Sequence, residues 1–233
     1  MNYFTFNGTK SSVFGLLVNN VSNFGAPERV VEKIQIPYRS GDLLIDTHSY
    51  SNTIVTYDVS LIYNTIANTR AIAEWLLATD GYCVLSDTYN TGETRMAAYY
   101  NELEYTMEHL NRYGRATISF DCKPQRFLSS GTSATTLGSS TTLTNPTAMD
   151  AQPYIEVTGN GTFTINGYSI TITDKSGQTT TIDCESMQCY RGTTNMNGSV
   201  TMPDGFPVLG TGANTCGKGT ATTVKVTPRW WRL

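Results

Sequence analysis

Charge is scarce in this 233-residue chain: Asp, Glu, Lys and Arg make up 15% of it, against roughly 25% in an average soluble domain. The net charge is only −3. Up to Arg126 there are 10 basic and 13 acidic residues, and beyond it 6 of each. Neither half has the basic excess that phosphate neutralisation requires, so no nucleic-acid partner is expected. Long apolar runs are missing too. Nothing approaches the roughly 18 residues of a membrane-spanning helix, so no membrane segment is expected. The first residues show neither the basic stretch nor the apolar core of a secretory leader, and the chain reads as one made in a cytoplasm. Histidine occurs twice, at His48 and His109, in neither H-x-H nor H-E-x-x-H spacing, and there is no G-x-S-x-G elbow. The usual signatures of zinc and serine hydrolases are therefore absent. The five cysteines (Cys83, Cys122, Cys184, Cys189 and Cys216) form no C-x-x-C pair. They read as buried free thiols, with a Cys184–Cys189 bridge or metal site as the alternative.

Ser, Thr, Asn and Gly take the place of charge, and short alternating segments dominate. Phe4-Thr-Phe6 precedes an Asn7-Gly8 turn. Val55, Tyr57, Val59, Leu61 and Tyr63 alternate with polar neighbours, the pattern of a half-buried strand. One helix is expected, capped by Asn68-Thr69, with Ile72, Trp75 and Leu76 on one stripe and Gly81 beyond its end. Arg95–Leu110 fits a strand that pairs with Ala116–Cys122 across Asn111–Tyr113, and Pro124 should end the partner. In the second half, Tyr154–Val157 is expected to pair with Thr162–Ile165 across Gly159-Asn160-Gly161. Asn166-Gly167 marks the next hairpin, and Ser169–Ile172 should pair with Thr179–Ile182. Short strands at this spacing argue a sandwich.

The most distinctive stretch runs from Phe127 to Met149, with no charged residue, and eleven of the sixteen residues 129–144 are Ser or Thr. So few large apolar groups should not offset the entropy of ordering, so the stretch reads as a linker between two β-rich modules. The expected organisation is residues 1–128, a linker at 129–144, and 145–233.

Chemistry is hard to place on this sequence. Gly212 to Lys218 has P-loop spacing, but Gly219 stands where the magnesium-binding hydroxyl belongs, and strand-like Thr222–Thr227 follows where a helix should open. It reads as a Gly-rich loop between strands. Among carboxylates, Glu102, Glu104 and Glu108 should share the solvent face of a strand. Asp183 and Glu185 are expected to diverge. No pair suits glycoside hydrolysis.

Several motifs, in order, resemble the distal tail (Dit) proteins of siphophages infecting Gram-positive bacteria. They are Phe4-Thr-Phe6-Asn7-Gly8 with Phe14-Gly15-Leu16, Ile36-Pro37-Tyr38-Arg39-Ser40-Gly41-Asp42, Ile72-Ala-Glu-Trp75-Leu76, and Phe120-Asp-Cys122-Lys-Pro124. In the second half they are Asn145-Pro146, Pro153-Tyr-Ile155, Ile182-Asp183-Cys184-Glu185, Gly205-Phe206-Pro207, and the Pro228-Arg229-Trp230-Trp231 end. The resemblance implies a mainly β fold: an N-terminal β-sandwich or belt domain with one helix and a β-hairpin arm, then a galectin-like β-sandwich. It also implies a structural protein without enzyme activity or cofactor, located at the virion tail tip and assembled in the host cytoplasm. Its partners would be itself in a homo-hexameric ring, single or paired, the tail tube protein, and the tail-associated hub or fibre protein. In some members it also docks receptor-binding proteins. The arm is expected between Arg39 and Thr53, where core-sized apolar residues are few, with Arg39, Asp42, Leu43, Leu44 and Tyr50 as candidate oligomer-interface residues. The competing reading is a carbohydrate-binding module, which would need an exposed aromatic platform. A hydrolase ranks behind both for want of a catalytic constellation.

Overall fold

A computed structural model describes residues 2–22, 25–62, 65–108 and 113–233. The chain divides into two compact units, Met1–Arg126 with Leu233, and Phe127–Arg232.

The first unit contains β1 (Phe4–Phe6), β2 (Thr9–Lys10), β3 (Leu16–Ser22), β4 (Arg29–Ile34), β5 (Leu43–Tyr50), β6 (Thr53–Ile62), α1 (Thr65–Leu77), β7 (Cys83–Asp87), β8 (Glu93–Ala98), β9 (Tyr105–Glu108) and β10 (Tyr113–Leu128). Its main sheet follows the order β2-β1-β7-β8-β10-β6-β3, with β9 also on β10. Asn7 and Gly8, both at positive φ, turn β1 into β2, the backbone a tight two-residue hairpin needs. The alternation in β6 holds: Val55, Tyr57, Val59 and Leu61 are all buried, and Tyr63 lies outside the described residues. The apolar stripe of α1 covers the core as expected. Ile72 and Leu76 are buried, while Trp75 stacks on Phe4 and Phe14 and donates its indole N–H to the Phe6 carbonyl at 3.3 Å. The helix begins at Thr65, however, so Asn68 and Thr69 lie inside it rather than capping it. Their interior penalty is only several tenths of a kcal/mol each, small beside the packing of Ile72, Trp75 and Leu76.

Two further expectations change here. The strand predicted over Arg95–Leu110 is broken into β8 and β9, with Glu102 and Glu104 in the connection between them. The β9–β10 hairpin itself forms, Tyr105 opposite Ala116 and Glu108 opposite Tyr113. His109, Leu110, Asn111 and Arg112 lie outside the described residues, and Tyr113, expected in the turn, begins β10. Pro124 does not end β10, which runs on to Leu128. Pairing with β6 stops at Cys122 opposite Thr53, so Pro124 interrupts no hydrogen bond of that ladder.

The second unit is a sandwich built from β11 (Thr135–Thr136), β12 (Thr141–Asn145), β13 (Tyr154–Thr158), β14 (Gly161–Ile165), β15 (Tyr168–Ile172), β16 (Thr179–Asp183), β17 (Gln188–Arg191), β18 (Thr194–Asn195), β19 (Val200–Thr201), β20 (Gly212–Gly217) and β21 (Thr223–Thr227). One sheet runs β11-β21-β13-β16-β17-β18 and the other β12-β20-β14-β15-β19. Residues of both enclose one core around Ile155, Val157, Phe163, Ile165, Ile170, Ile182, Val224, Val226 and Trp230. Only the Asn166-Gly167 hairpin, β14 to β15, matches the predicted pairings. β13 pairs with β16 and β21, not β14. The chain switches sheets at Gly159–Gly161, where Gly161 sits at φ +133 and a Cβ would come within 2.8 Å of the Thr220–Ala221 backbone. Hairpin logic reads neighbouring strands as partners, whereas a sandwich often sends the next strand to the facing sheet.

The Ser/Thr-rich stretch is not a linker. It carries a 3-10 turn at Ser129–Gly131, then β11 and β12, one strand in each sheet. Leu137 and Leu143 are only 3% and 7% exposed, and burying each is worth roughly 1.5–3 kcal/mol. Backbone hydrogen bonds tie it down at several further points. Leu128 N–H donates to Trp230 O, Arg229 N–H to Gly131 O, Leu137 N–H to Val224 O and Lys218 N–H to Gly138 O, all at 2.8 Å. The buried amides are served as well. Asn145 Nδ2 donates to Met149 O at 2.9 Å and its Oδ1 accepts the Thr147 hydroxyl at 2.8 Å, while Asn214 Nδ2 donates to the Gly210 and Gly212 carbonyls. The predicted Gly-rich loop at Gly212 is thus strand β20, paired along β12.

Candidate assembly surface

Among the described residues the two strands β4 and β5 pair only with each other. They form a hairpin, here called the arm, whose tip spans residues 35–42. None of its residues belongs to the N-terminal core. Register places Ile34 opposite Leu43 and Glu32 opposite Ile45, while Lys33 faces Leu44 and Val31 faces Asp46. Alternation then gives two faces. One carries Val30, Ile34, Leu43 and Ile45 around Glu32. The other carries Arg29, Val31, Lys33, Leu44 and Asp46. Val30, Val31, Ile34, Leu43, Leu44 and Ile45 are all exposed, Leu44 at 62%. A ribbon of β-branched and aliphatic residues is good strand sequence, but with two strands and no covering layer it buries little of its own.

The arm therefore starts about ten residues before the predicted Arg39–Thr53. Val30, Val31 and Ile34, which lie outside that predicted range, are on one leg of the arm. The five candidate residues fall within it: Leu43, Leu44 and Tyr50 on β5, Arg39 and Asp42 in the tip, all exposed except half-buried Tyr50.

Asp46 holds the arm's shape. Between Val30 and Val31 the register slips, because β5 carries Thr47 and His48 as a bulge, with His48 at φ +55. Asp46 accepts the His48 backbone N–H at 2.9 Å and pairs with Arg29, and the Thr47 hydroxyl donates to Val30 O at 2.7 Å. The His48 backbone hydrogen bond, with Arg29 beside it, holds the Asp46 carboxyl below its ordinary range. His48 stands on an exposed strand. Sequence reasoning named neither Arg29 nor Asp46; their opposite charges across the bulge become visible only with the register.

At the tip, Pro37 precedes Tyr38, which is fully exposed at φ +62. Arg39 N–H closes a turn onto Ile36 O at 3.2 Å.

Elsewhere the predicted residues sort simply. All five cysteines are free thiols and four are buried; burial pushes Cys122 and Cys184 up to about 12 and Cys189 to about 11. Asp183 and Glu185 do not diverge. Glu185 sits in the turn just past the end of β16, and Arg229 binds both carboxylates, at 2.6 and 3.4 Å, while lying over the Tyr154 ring. Trp230 is a core plug; Trp231 is half-buried and donates to Asp150 O at 2.9 Å. Glu102 and Glu104 face solvent, lining a polar cleft of about 880 Å³ with Asn19, Asp58, Tyr113 and Arg115. Among the described residues no group of three or more His, Cys, Asp or Glu is placed to hold a metal, and no helix is long and apolar enough to cross a membrane.

No protein-family model and no curated protein matches this sequence. Solved structures do. SPP1 Dit (gp 19.1), described as a paradigm of the hub adsorption apparatus in phages infecting Gram-positive bacteria, is 15% identical over 100% of both chains, with a TM-score of 0.67. A chain of the phage P2 baseplate, in its activated conformation with Ca, is 8% identical over 97% of both chains at a TM-score of 0.54. The same baseplate with Sr gives 8% identity over 100% of this chain and 98% of that one, at 0.55. Across its whole length, this chain has the mainly β fold of SPP1 Dit.

Proposed function

We propose that this chain is a non-catalytic hub and adaptor of a phage tail tip, in which copies join as a hexameric ring through the arm. Full-length likeness in fold to SPP1 Dit supports the class. The observation that carries the reading is the arm, six exposed aliphatic side chains on a hairpin with no core beneath it. A monomer gains nothing by displaying such a ribbon; a closed ring of heterologous contacts gives it a partner. In this reading one ring face meets the tail tube, the other meets the hub or fibre protein, and the sandwich unit lies outside, available to receptor-binding proteins.

The test is size. Full-length protein should run as a ring in light scattering and negative-stain images. Removing residues 29–50 and closing the gap with a short Gly-Ser turn should leave a folded monomer. A deletion restricted to Asp42–Asn52 is less informative, because it strips one strand and leaves β4 unpaired. A wild-type monomer at high micromolar concentration, or an arm-less chain that still forms the ring, would sink the proposal.

A further inference from the structure

Two features of the N-terminal unit have no counterpart among the described residues. One is the arm tip. Tyr38 holds a left-handed backbone conformation that an aromatic residue adopts at a cost, and its whole side chain is in solvent. Beside it, Arg39 meets no carboxylate among the described residues. The other is the cleft of about 880 Å³ at β3, β6, β10 and the β8–β9 connection. Its walls are fixed by hydrogen bonds: Asn19 Nδ2 donates to Ser60 Oγ at 2.6 Å, Ser60 Oγ meets the Tyr113 hydroxyl at 2.8 Å, and Thr117 Oγ1 donates to Asp58 at 3.2 Å. Arg115 lies over the Tyr113 ring. Three carboxylates (Asp58, Glu102 and Glu104) stand against that one guanidinium, and Glu102 and Glu104 have no ionic partner among the described residues.

No arm residue lines this cleft within the one chain. We infer that the Pro37-Tyr38-Arg39 tip of one copy seats in the cleft of the next copy, Arg39 meeting Glu102 and Glu104. The inference rests on the ring reading above and specifies its contact. A second copy fits on three grounds. A knob and a hollow at different places on one chain make a heterologous contact, the kind that closes into a ring. Their charges are complementary, which sets orientation and register. The arm is also long: from Arg29 to Ile36 an extended strand covers about 25 Å at ~3.3 Å per residue. A hollow of this volume readily admits a Tyr ring and a guanidinium, two side-chain types favoured at interface anchors.

Charge reversal in the full-length chain tests it. R39E alone, and E102K/E104K alone, should each raise the apparent dissociation constant of the assembly at least tenfold at low salt, read by mass photometry. All three sites are exposed, so melting of the monomer serves as the folding control. Combining the three reversals should recover most of the assembly. A second measurement uses proximity: in a C83S background, which removes the one cysteine that is not buried, Y38C with E104C and a short bismaleimide should yield a ladder of covalent oligomers, and neither single variant should. An intact ring indifferent to R39E, a triple variant that stays dissociated, or a missing ladder would overturn the inference and leave the ring reading standing. R39E that spares the ring but abolishes binding to another tail protein would also overturn it, by assigning the tip elsewhere. A wild-type chain that never assembles would overturn both readings.

Discussion

The arm and the Ser/Thr-rich stretch reverse each other's composition. The arm is rich in Val, Ile and Leu and lies almost wholly in solvent. The stretch at 129–144 is made largely of Ser and Thr, yet it supplies a strand to each sheet of the sandwich and buries both its leucines. Composition says how much a segment could gain from burial; neighbours decide whether it is buried. The stretch lies along β20 and β21, which offer unpaired ladder positions, so its backbone hydrogen bonds and two leucines suffice. Among the described residues the arm has no third strand and no covering layer, so its apolar groups remain available for a partner.

Core truncation gives the largest contrast. L143A and L137A should each cost about 2–4 kcal/mol in denaturant unfolding of the full-length chain, whereas L44A in the arm should fall within about 0.5 kcal/mol under conditions where the chain is monomeric. Silent L143A and L137A would restore the linker. Next is Gly131, where an added Cβ would stand 2.3 Å from the Trp230 nitrogen. Overpacking of this sort costs roughly 1–3 kcal/mol, so G131A should lower the melting point, which a flexible tether would never register. Third, L43S/L44S/I45S should leave the monomer's melting nearly unchanged and abolish assembly; a large loss of monomer stability would mean that the arm has a hidden core after all.

The smallest expected effect is electrostatic. Burial opposes ionisation of Asp183, but the Arg229 pair and nearby hydrogen bonds outweigh it and lower its pKa on folding. A carboxylate depressed in the native state stabilises fully above its unfolded value of about 3.9 and loses that contribution as pH falls through the folded value. The sandwich should therefore weaken below about pH 4, and D183N should blunt that acid dependence. Asp46 follows the same sign in the arm, where hydrogen exchange at the bulge, rather than global unfolding, is the appropriate measurement.

Much of the N-terminal half was legible in its residues. The alternation over Val55–Leu61, the Ile72-Trp75-Leu76 stripe and the Asn7-Gly8 turn each encode local geometry, and each fell where expected. Assembly candidates Leu43, Leu44 and Arg39 lie in the arm, but its first leg was missed because Val30, Val31 and Ile34 carry the same pattern whether a strand is covered or bare. In the second half, turn chemistry identified one hairpin correctly. Thr-rich strands give little hydrophobic contrast with loops, so neither the sheet switch at Gly159–Gly161 nor the strands hidden in 129–144 left a clear periodic mark. The cleft at Glu102 and Glu104 was legible only as surface carboxylates, since it depends on β3 and β10 meeting across β6.

Because the arm adds no side chain to the core of its unit, what this chain adheres to is encoded apart from whether it folds. Substitutions in the arm escape the stability threshold that constrains most of a protein. That region can accumulate changes at little risk to the fold, and a partner preference can drift, or be exchanged by grafting another hairpin, while the body stays as it is. Across relatives of this fold, the arm should vary in sequence faster than the strands it springs from.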